Sequence, residues 1–239
     1  MNIIKNLVSS SKYNVKCPYS MDAQFIVVHN TANDASAANE VAYMISNNNK
    51  VSFHYAVDDK QIVQGIPENR NAWHAGDGGS GKGNRYGLSI EICYSKSGGS
   101  RFIEAEKLAA KFIASKLKEK GWGIDKVTKH QDYSGKYCPH RTLDMGWQRF
   151  LNMVKAELDT LNGSSSSGTL YRVQTGAFKV KSNADKLAAE LKKKGFDTYI
   201  VQICGLYKVQ VGAYSIKANA NAMMAKLKAV GYDAFITTN

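Results

Sequence analysis

His29 directly follows the apolar run Phe25-Ile26-Val27-Val28, His130 opens His130-Gln131-Asp132-Tyr133, and Cys138 lies in Lys136-Tyr137-Cys138-Pro139-His140-Arg141. Two imidazoles and a thiolate, with a fourth position open to water, form the donor set of a catalytic zinc site. His29 is far from the other two in sequence, so a second reading stays open in which all three are core or surface residues. Glu91 interrupts the apolar pattern of Ile90-Glu91-Ile92. A carboxylate there is costly unless paired or used, although on an alternating strand it can also face solvent. Beside activated water it would serve as a general base, provided its pKa lies near the working pH. Lys136, two residues before Cys138, is either a solvated loop lysine or a cation placed for a developing oxyanion.

These residues need a scaffold, and the composition supplies one. Of 239 residues, 44% are hydrophobic, 10% aromatic and 22% charged, which excludes disorder over most of the chain. No apolar run approaches the ~18 residues of a membrane span. The first seven residues are too short and polar for a secretory core, so the expectation is synthesis in the cytoplasm without a signal peptide or membrane insertion. The net charge of +12 points to an anionic polymer: nucleic acid, a membrane surface or a bacterial wall. Residues 1–162 hold 21 basic and 16 acidic side chains, and the remainder 11 and 4, so positive charge is denser in the shorter part. A solvated surface serving solubility is the alternative. Cys17, Cys93, Cys138 and Cys204 contain no C-x-x-C pair, which excludes a zinc ribbon or a disulfide-stapled scaffold. Cys17, Cys93 and Cys204 read as small buried hydrophobes.

Asn162-Gly163-Ser164-Ser165-Ser166-Ser167-Gly168 reads as a flexible linker, dividing a domain of residues 1–162 from one of residues 169–239, with the linker at 163–168. Before it, strands are expected at residues 25–28, 53–57, 61–64 and 88–92, with Asp58-Asp59-Lys60 as a hairpin turn. Helices are expected at residues 36–46, with Ala38, Val41, Ala42 and Ile45 inward and Ser36 as cap, at 104–120 and at 144–161. This is an α/β domain with a mixed central sheet flanked by helices. Gly76-Asp77-Gly78-Gly79-Ser80-Gly81-Lys82-Gly83 lacks the phosphate-loop pattern and reads as a mobile rim loop. After the linker the chain duplicates itself at an offset of 36: Tyr171-Arg172-Val173-Gln174-Thr175-Gly176-Ala177-Phe178 matches Tyr207-Lys208-Val209-Gln210-Val211-Gly212-Ala213-Tyr214. Each copy reads strand, helix, strand, with Gly195 and Gly231 at the helix ends. Two such units suggest a ferredoxin-like βαββαβ sandwich with Arg172, Gln174, Lys208 and Gln210 on its open face.

The segments Val27-Val28-His29-Asn30-Thr31-Ala32, Ser52-Phe53-His54-Tyr55, Ala72-Trp73-His74-Ala75-Gly76, Ser89-Ile90-Glu91-Ile92, His130-Gln131-Asp132 and Lys136-Tyr137-Cys138-Pro139 resemble the type 2 N-acetylmuramoyl-L-alanine amidases. The resemblance runs from about residue 25 to residue 150, and residues 171–237 resemble a SPOR domain, a module that binds peptidoglycan glycan strands. The pairing is similar to a phage or prophage endolysin. It implies one zinc ion held by His29, His130 and Cys138, with Glu91 and Lys136 as the catalytic pair. His54, Trp73 and His74 would line the substrate groove, and Arg70 and Arg85 would pair with stem-peptide carboxylates. The bond implied joins the lactyl group of N-acetylmuramic acid to L-alanine. Some relatives carry a catalytic tyrosine where this chain has Phe53, which leaves Glu91 as the base.

The linker and repeat give the second domain a tethering role, with Gln174, Gln210, Phe178 and Tyr214 expected to hold glycan. The resemblance implies bacterial peptidoglycan as the partner, met by a monomer after release from the host cytoplasm. Three rivals remain at this level. Cys138 could be a nucleophile with a histidine base. The chain could be a wall-recognition protein without activity. The basic second domain could bind nucleic acid, although its central strands lack the aromatic pair that stacks bases.

Overall fold

The computed structural model describes residues 2–163, 170–214 and 217–238, in two units, Met1–Ser164 and Ser165–Asn239. Apart from Gly163, the expected linker lies outside the described residues. The first unit runs β1 (Ile3–Lys5), α1 (Tyr13–Lys16), β2 (Phe25–Asn30), α2 (Ala37–Ser46), β3 (Tyr55–Val57), β4 (Ile62–Gln64), α3 (Lys82–Tyr86), β5 (Gly87–Ile92), α4 (Gly99–Lys120), β6 (Val127–Lys129), α5 (Gln131–Ser134), α6 (His140–Asp144) and α7 (Trp147–Leu161). Six strands form one sheet in the order β1-β4-β3-β5-β2-β6. Only β3 and β4 pair antiparallel, so the sheet is mixed.

The central strands are buried on both faces, as parallel strands under helices must be. Ile26, Val27, Val28, Leu88, Ile90 and Ile92 are all inaccessible. Asp58 closes the β3–β4 turn by accepting from the amides of Lys60 and Gln61 at 2.8 and 2.9 Å, and its other oxygen accepts from Ala37 N at the start of α2. Ser36 caps α2 as expected, but the inward face is Ala37, Val41 and Met44, while Ala38 and Ala42 are exposed. The helix expected over residues 144–161 starts at Trp147 instead, because Gly146 at φ 103° separates α7 from α6, to which Asp144 belongs. The long α4 packs against α7, and a buried carboxylate fixes their contact: Glu106, 1% exposed, accepts two bonds from Arg149 at 2.7 and 2.8 Å.

The second unit contains β7 (Tyr171–Phe178), α8 (Lys181–Lys193), β8 (Tyr199–Ile203), β9 (Leu206–Tyr214), α9 (Lys217–Ala229) and β10 (Phe235–Thr237). Its four strands are antiparallel in the order β10-β7-β9-β8. The repeats exchange partners: β8 of the first pairs with β9 of the second, and β10 of the second with β7 of the first. Both helices end alike, with Gly195 at φ 83° and Gly231 at φ 88° closing bonds back to Lys192 and Lys228, and the next residue reaching Leu191 or Leu227. Val173, Ala184, Leu191, Val209, Ala220 and Leu227 are fully buried in a core under the helices. Cys204 is exposed in the β8–β9 turn at φ 51°, not buried as its residue type suggested.

Removing the cation from the Glu106–Arg149 pair strands a buried charge, whereas replacing both partners by apolar groups does not. Arg149→Ala should therefore cost about 3 kcal/mol of unfolding free energy, and Glu106→Leu/Arg149→Met markedly less. Urea unfolding of the two variants checks the order.

Candidate active site and metal centre

β2 and β5 are parallel neighbours, and their register sets His29 directly beside Glu91. Side chains so paired share a sheet face. β2 extends to Asn30, so His29 belongs to the strand rather than following it. β6, on the other side of β2, ends one residue before His130, whose amide donates to Val28 O. The following loop turns back so that Cys138 O accepts from Gln131 N at 3.0 Å. Three separate chain segments thus converge at the carboxyl ends of parallel strands, the usual location of ligand sites in such sheets.

Candidate ligand atoms of His29, His130 and Cys138 all lie within 4.8 Å of one another, and all three residues are buried. His29 Nδ1 is 3.0 Å from His130 Nδ1 and 4.0 Å from Cys138 Sγ. Tetrahedral zinc, with bonds of about 2.0–2.1 Å to nitrogen and 2.3 Å to sulfur, spaces its ligands about 3.3–3.6 Å apart, a spacing that the separations of 3.0 and 4.0 Å bracket, and two imidazoles with a thiolate are the donor types it takes. Burial lowers the pKa of His29 and His74 well below the ordinary histidine value, with neighbouring imidazoles adding to the effect. His130 is lowered by burial and then by Lys136. Neutral rings keep the lone pairs a metal needs, and the 3.9 Å approach of His29 to Glu91 is not an ion pair.

Hydrogen bonds select the tautomers. His74 Nε2 faces Gly87 O at 3.3 Å and so carries the proton. His74 Nδ1 then accepts from His29 Nε2, 3.0 Å away. That leaves His29 Nδ1 as the free lone pair, aimed at the other two ligands. A hydrogen-bonded partner behind a ligating imidazole fixes its orientation and basicity in just this way. Gly76, at φ 71°, keeps the space in front open, since a Cβ there would come within 3.1 Å of Ser134 and 3.6 Å of His130 Nε2.

Glu91 is half-buried and faces a cleft instead of the open surface. One carboxylate oxygen, Oε2, is buried with no hydrogen-bond partner, as is Thr31 Oγ1. Burial, reinforced by Glu40 and opposed by Lys136, raises the Glu91 carboxyl to about 8. Burial also raises the Cys138 thiol, to about 11, which makes it a poor nucleophile as a free thiol.

Two clefts meet over this cluster. One, of about 510 Å³, is lined by residues that include Lys50, Trp73, His74, His130 and Lys136. The other, of about 270 Å³, includes Thr31, Glu40, Tyr43 and Glu91. Val51 lines both. The first is rimmed by Gly76, Gly78 and Gly79 of the glycine-rich loop, which is anchored rather than free. Asp77 accepts from the amides of Gly83 and Asn84, and Asn84 Oδ1 accepts from those of His74 and Ala75.

Other expected contacts fall elsewhere. His54 is fully inaccessible, held between Ser89 and Arg70 O, and buttresses the site instead of lining it. Arg70 donates to Cys17 O and Pro18 O at 2.6 and 2.8 Å, so its guanidinium clamps the N-terminal segment. Arg85 stacks over Tyr19 at 4.1 Å. Lys50, Glu40 and Val51 carried no sequence signal, because they line the site only through the fold of the segments around them.

In the second unit Gln174 and Gln210 are 3% and 8% exposed, not free on the surface as expected. Phe178 and Tyr214 pack against the core under the helices, beside Gly176 and Gly212. The reason is a register shift between Gln174 and Ala177, which breaks simple alternation and moves Phe178 off the glutamine face.

Residues 19–141 match the family model described as N-acetylmuramoyl-L-alanine amidase, a little over half of the chain. The chain belongs to this amidase family. Residues 167–238 match the SPOR domain. Among relatives, the chain is similar to N-acetylmuramoyl-L-alanine amidase CwlA of Bacillus subtilis, at 56% identity over 76% of this chain and 73% of that protein. It is 56% identical to XlyB of the same organism over 72% of this chain and 56% of XlyB. The solved structure of PlyL is 56% identical and covers 64% of this chain and 97% of PlyL, with a TM-score of 0.63. The amidase unit therefore has the type 2 amidase fold, a mixed sheet with helices.

Glu91 also makes a stability prediction for the metal-free amidase. An acid whose folded pKa lies above its unfolded value near 4.3 holds its proton longer when folded, so its contribution falls as pH rises from that value to about 8. Glu91→Gln should raise the Tm of the chelator-treated protein at pH 8.5 and leave it nearly unchanged at pH 4. Thermal unfolding at the two pH values checks both parts.

Proposed function

We propose that this amidase hydrolyses the amide between N-acetylmuramic acid and the L-alanine of the stem peptide, as an endolysin acting on the bacterial wall. The observation that carries the reading is the convergence of His29, His130 and Cys138 next to the buried carboxylate of Glu91. Zinc is the ion these three would hold, and when bound it would supply a Lewis acid and a water of lowered pKa. Glu91 takes the proton of the attacking water, and the same carboxyl returns it to the departing amine nitrogen. Its raised pKa makes the carboxylate a competent base and its acid form a competent donor near neutrality. Lys136 is exposed at the cleft wall and offers its ammonium to the carbonyl oxygen as negative charge develops there. Trp73 and His74 line the same cleft. The cysteine-nucleophile alternative is disfavoured by the buried, high-pKa thiol.

The strand order β10-β7-β9-β8 supports a ferredoxin-like reading of the second unit. Cross-strand register places Phe235, Gln174, Gln210 and Tyr199 in one row across its open face. The outer two are aromatic and exposed, at 50% and 67%. This row binds the glycan strand, with the aromatics as stacking surfaces and the buried amides as its floor. The glutamines on the central strands leave no aromatic pair there for stacking bases, which favours wall over nucleic acid. The protein works as a monomer, the second unit holding substrate near the first.

On isolated Gram-positive walls the protein should release amino groups without new reducing ends. Chelation should abolish the release and zinc restore it, with mass spectrometry locating N-terminal L-alanine on the products. Unchanged release after chelation would revive the cysteine mechanism. Lys136→Ala should lower kcat by about 10²–10³. Tyr199→Ala/Phe235→Ala should weaken pelleting with walls while leaving turnover of a soluble muropeptide intact.

A further inference from the structure

Lys16 is fully inaccessible, yet the recorded partners of its ammonium are neutral oxygens and not a carboxylate. Its ammonium donates instead to three oxygens: Asn47 Oδ1 at 2.9 Å, Asn49 O at 2.7 Å and Val51 O at 3.1 Å. An ammonium has three donors, and all three are used on one loop more than thirty residues away. Desolvating a cation is costly, and a methionine of similar shape would fill the same volume without that cost. The bonds therefore do something packing does not require.

What they hold is the wall of the substrate groove. Lys50 and Val51 line the larger cleft, and Asn47, Asn49 and Val51 line the smaller one. Lys50 Nζ rests 4.6 Å from the centre of the Trp73 ring. Trp73 hangs from the same short helix, its indole donating to Val15 O at 3.0 Å. Ser52 Oγ links the two, donating to Lys16 O at 2.6 Å and accepting from Trp73 N at 2.8 Å. One turn of helix, α1, thus fixes both the loop of residues 47–51 and the aromatic beside it.

We infer that Lys16 is a positioning residue of this amidase, a buried cation whose three bonds set the loop that carries Lys50 and Val51 into the groove. Lys16 touches no substrate. It acts through the loop, and the loop contributes the charge and the ridge that the substrate meets. Lys50 brings a cation to a cleft that already holds Lys136, which suits an anionic stem peptide. The inference rests on the amidase reading above.

The test is Lys16→Met, assayed on a soluble muropeptide carrying a free stem carboxylate. KM should rise about tenfold, while kcat changes by no more than about threefold and bound zinc stays at one per chain. Amide hydrogen exchange at residues 49–51 should quicken. Arg149→Ala serves as the control for lost stability alone and should keep the wild-type KM. An unchanged KM in Lys16→Met, or an equal rise in both variants, overturns the inference. Should Lys16→Met fail to fold, Asn47→Ala removes one of the three acceptors, and an unchanged KM there overturns it equally. A wild-type protein that releases no amino groups would instead refute the amidase reading.

Discussion

Two imidazole nitrogens, one from His29 and one from His130, approach to 3.0 Å at the head of the first sheet. Burial makes protonating either ring costly, so the close approach holds with both rings neutral. Most of the surrounding structure serves to hold that arrangement in place. The bond from His29 to His74, and from His74 to Gly87, leaves His29 one orientation and one tautomer. Parallel pairing of β2 with β5 and β6 delivers the remaining groups to the same end of the sheet. The N-terminal segment, the anchored glycine loop and the loop after α2 then build walls around a point that the sheet has already defined.

The groove above that point is electrically uneven. Cations and an aromatic ring line one cleft, carboxylates line the other, and Val51 stands between them. Glu91 belongs to the acidic side, and its neighbour Glu40 contributes to keeping it protonated longer than an ordinary carboxyl. The carboxyl proposed to move protons is thus tuned first by burial and then by a residue far from it in sequence, through the shape of the cavity and not through direct bonding.

How much of this was legible in the sequence depended on the range of the cause. The Ser36 cap, the hairpin at Asp58 and the glycine helix ends follow from local pattern and stand where that pattern puts them. His29, His130 and Cys138 were linked by the family resemblance and not by their spacing, and it is the fold that brings them together. His54 and His74 could not be separated in the same way. Both are histidines in short motifs, and only packing makes one a buttress and the other a partner of His29. Arg70 is committed to carbonyls some fifty residues earlier, a partnership no spacing reveals. Period-two alternation also failed at Gly176, because a bulge resets the faces after it. Lys16 lies in a polar stretch where a lysine is unremarked, and nothing short of the folded loop marks it out.

The exchange of strands between the two repeats makes the second unit depend on both copies at once. Because β8 completes the edge of β9, and β10 that of β7, neither 36-residue copy closes a sheet from its own strands. A solitary copy would offer an open strand edge and half of a hydrophobic core, which is the situation that drives two identical chains together. Each copy therefore serves as the other's partner, and the short segment between β8 and β9 keeps the two together in one chain whatever its concentration.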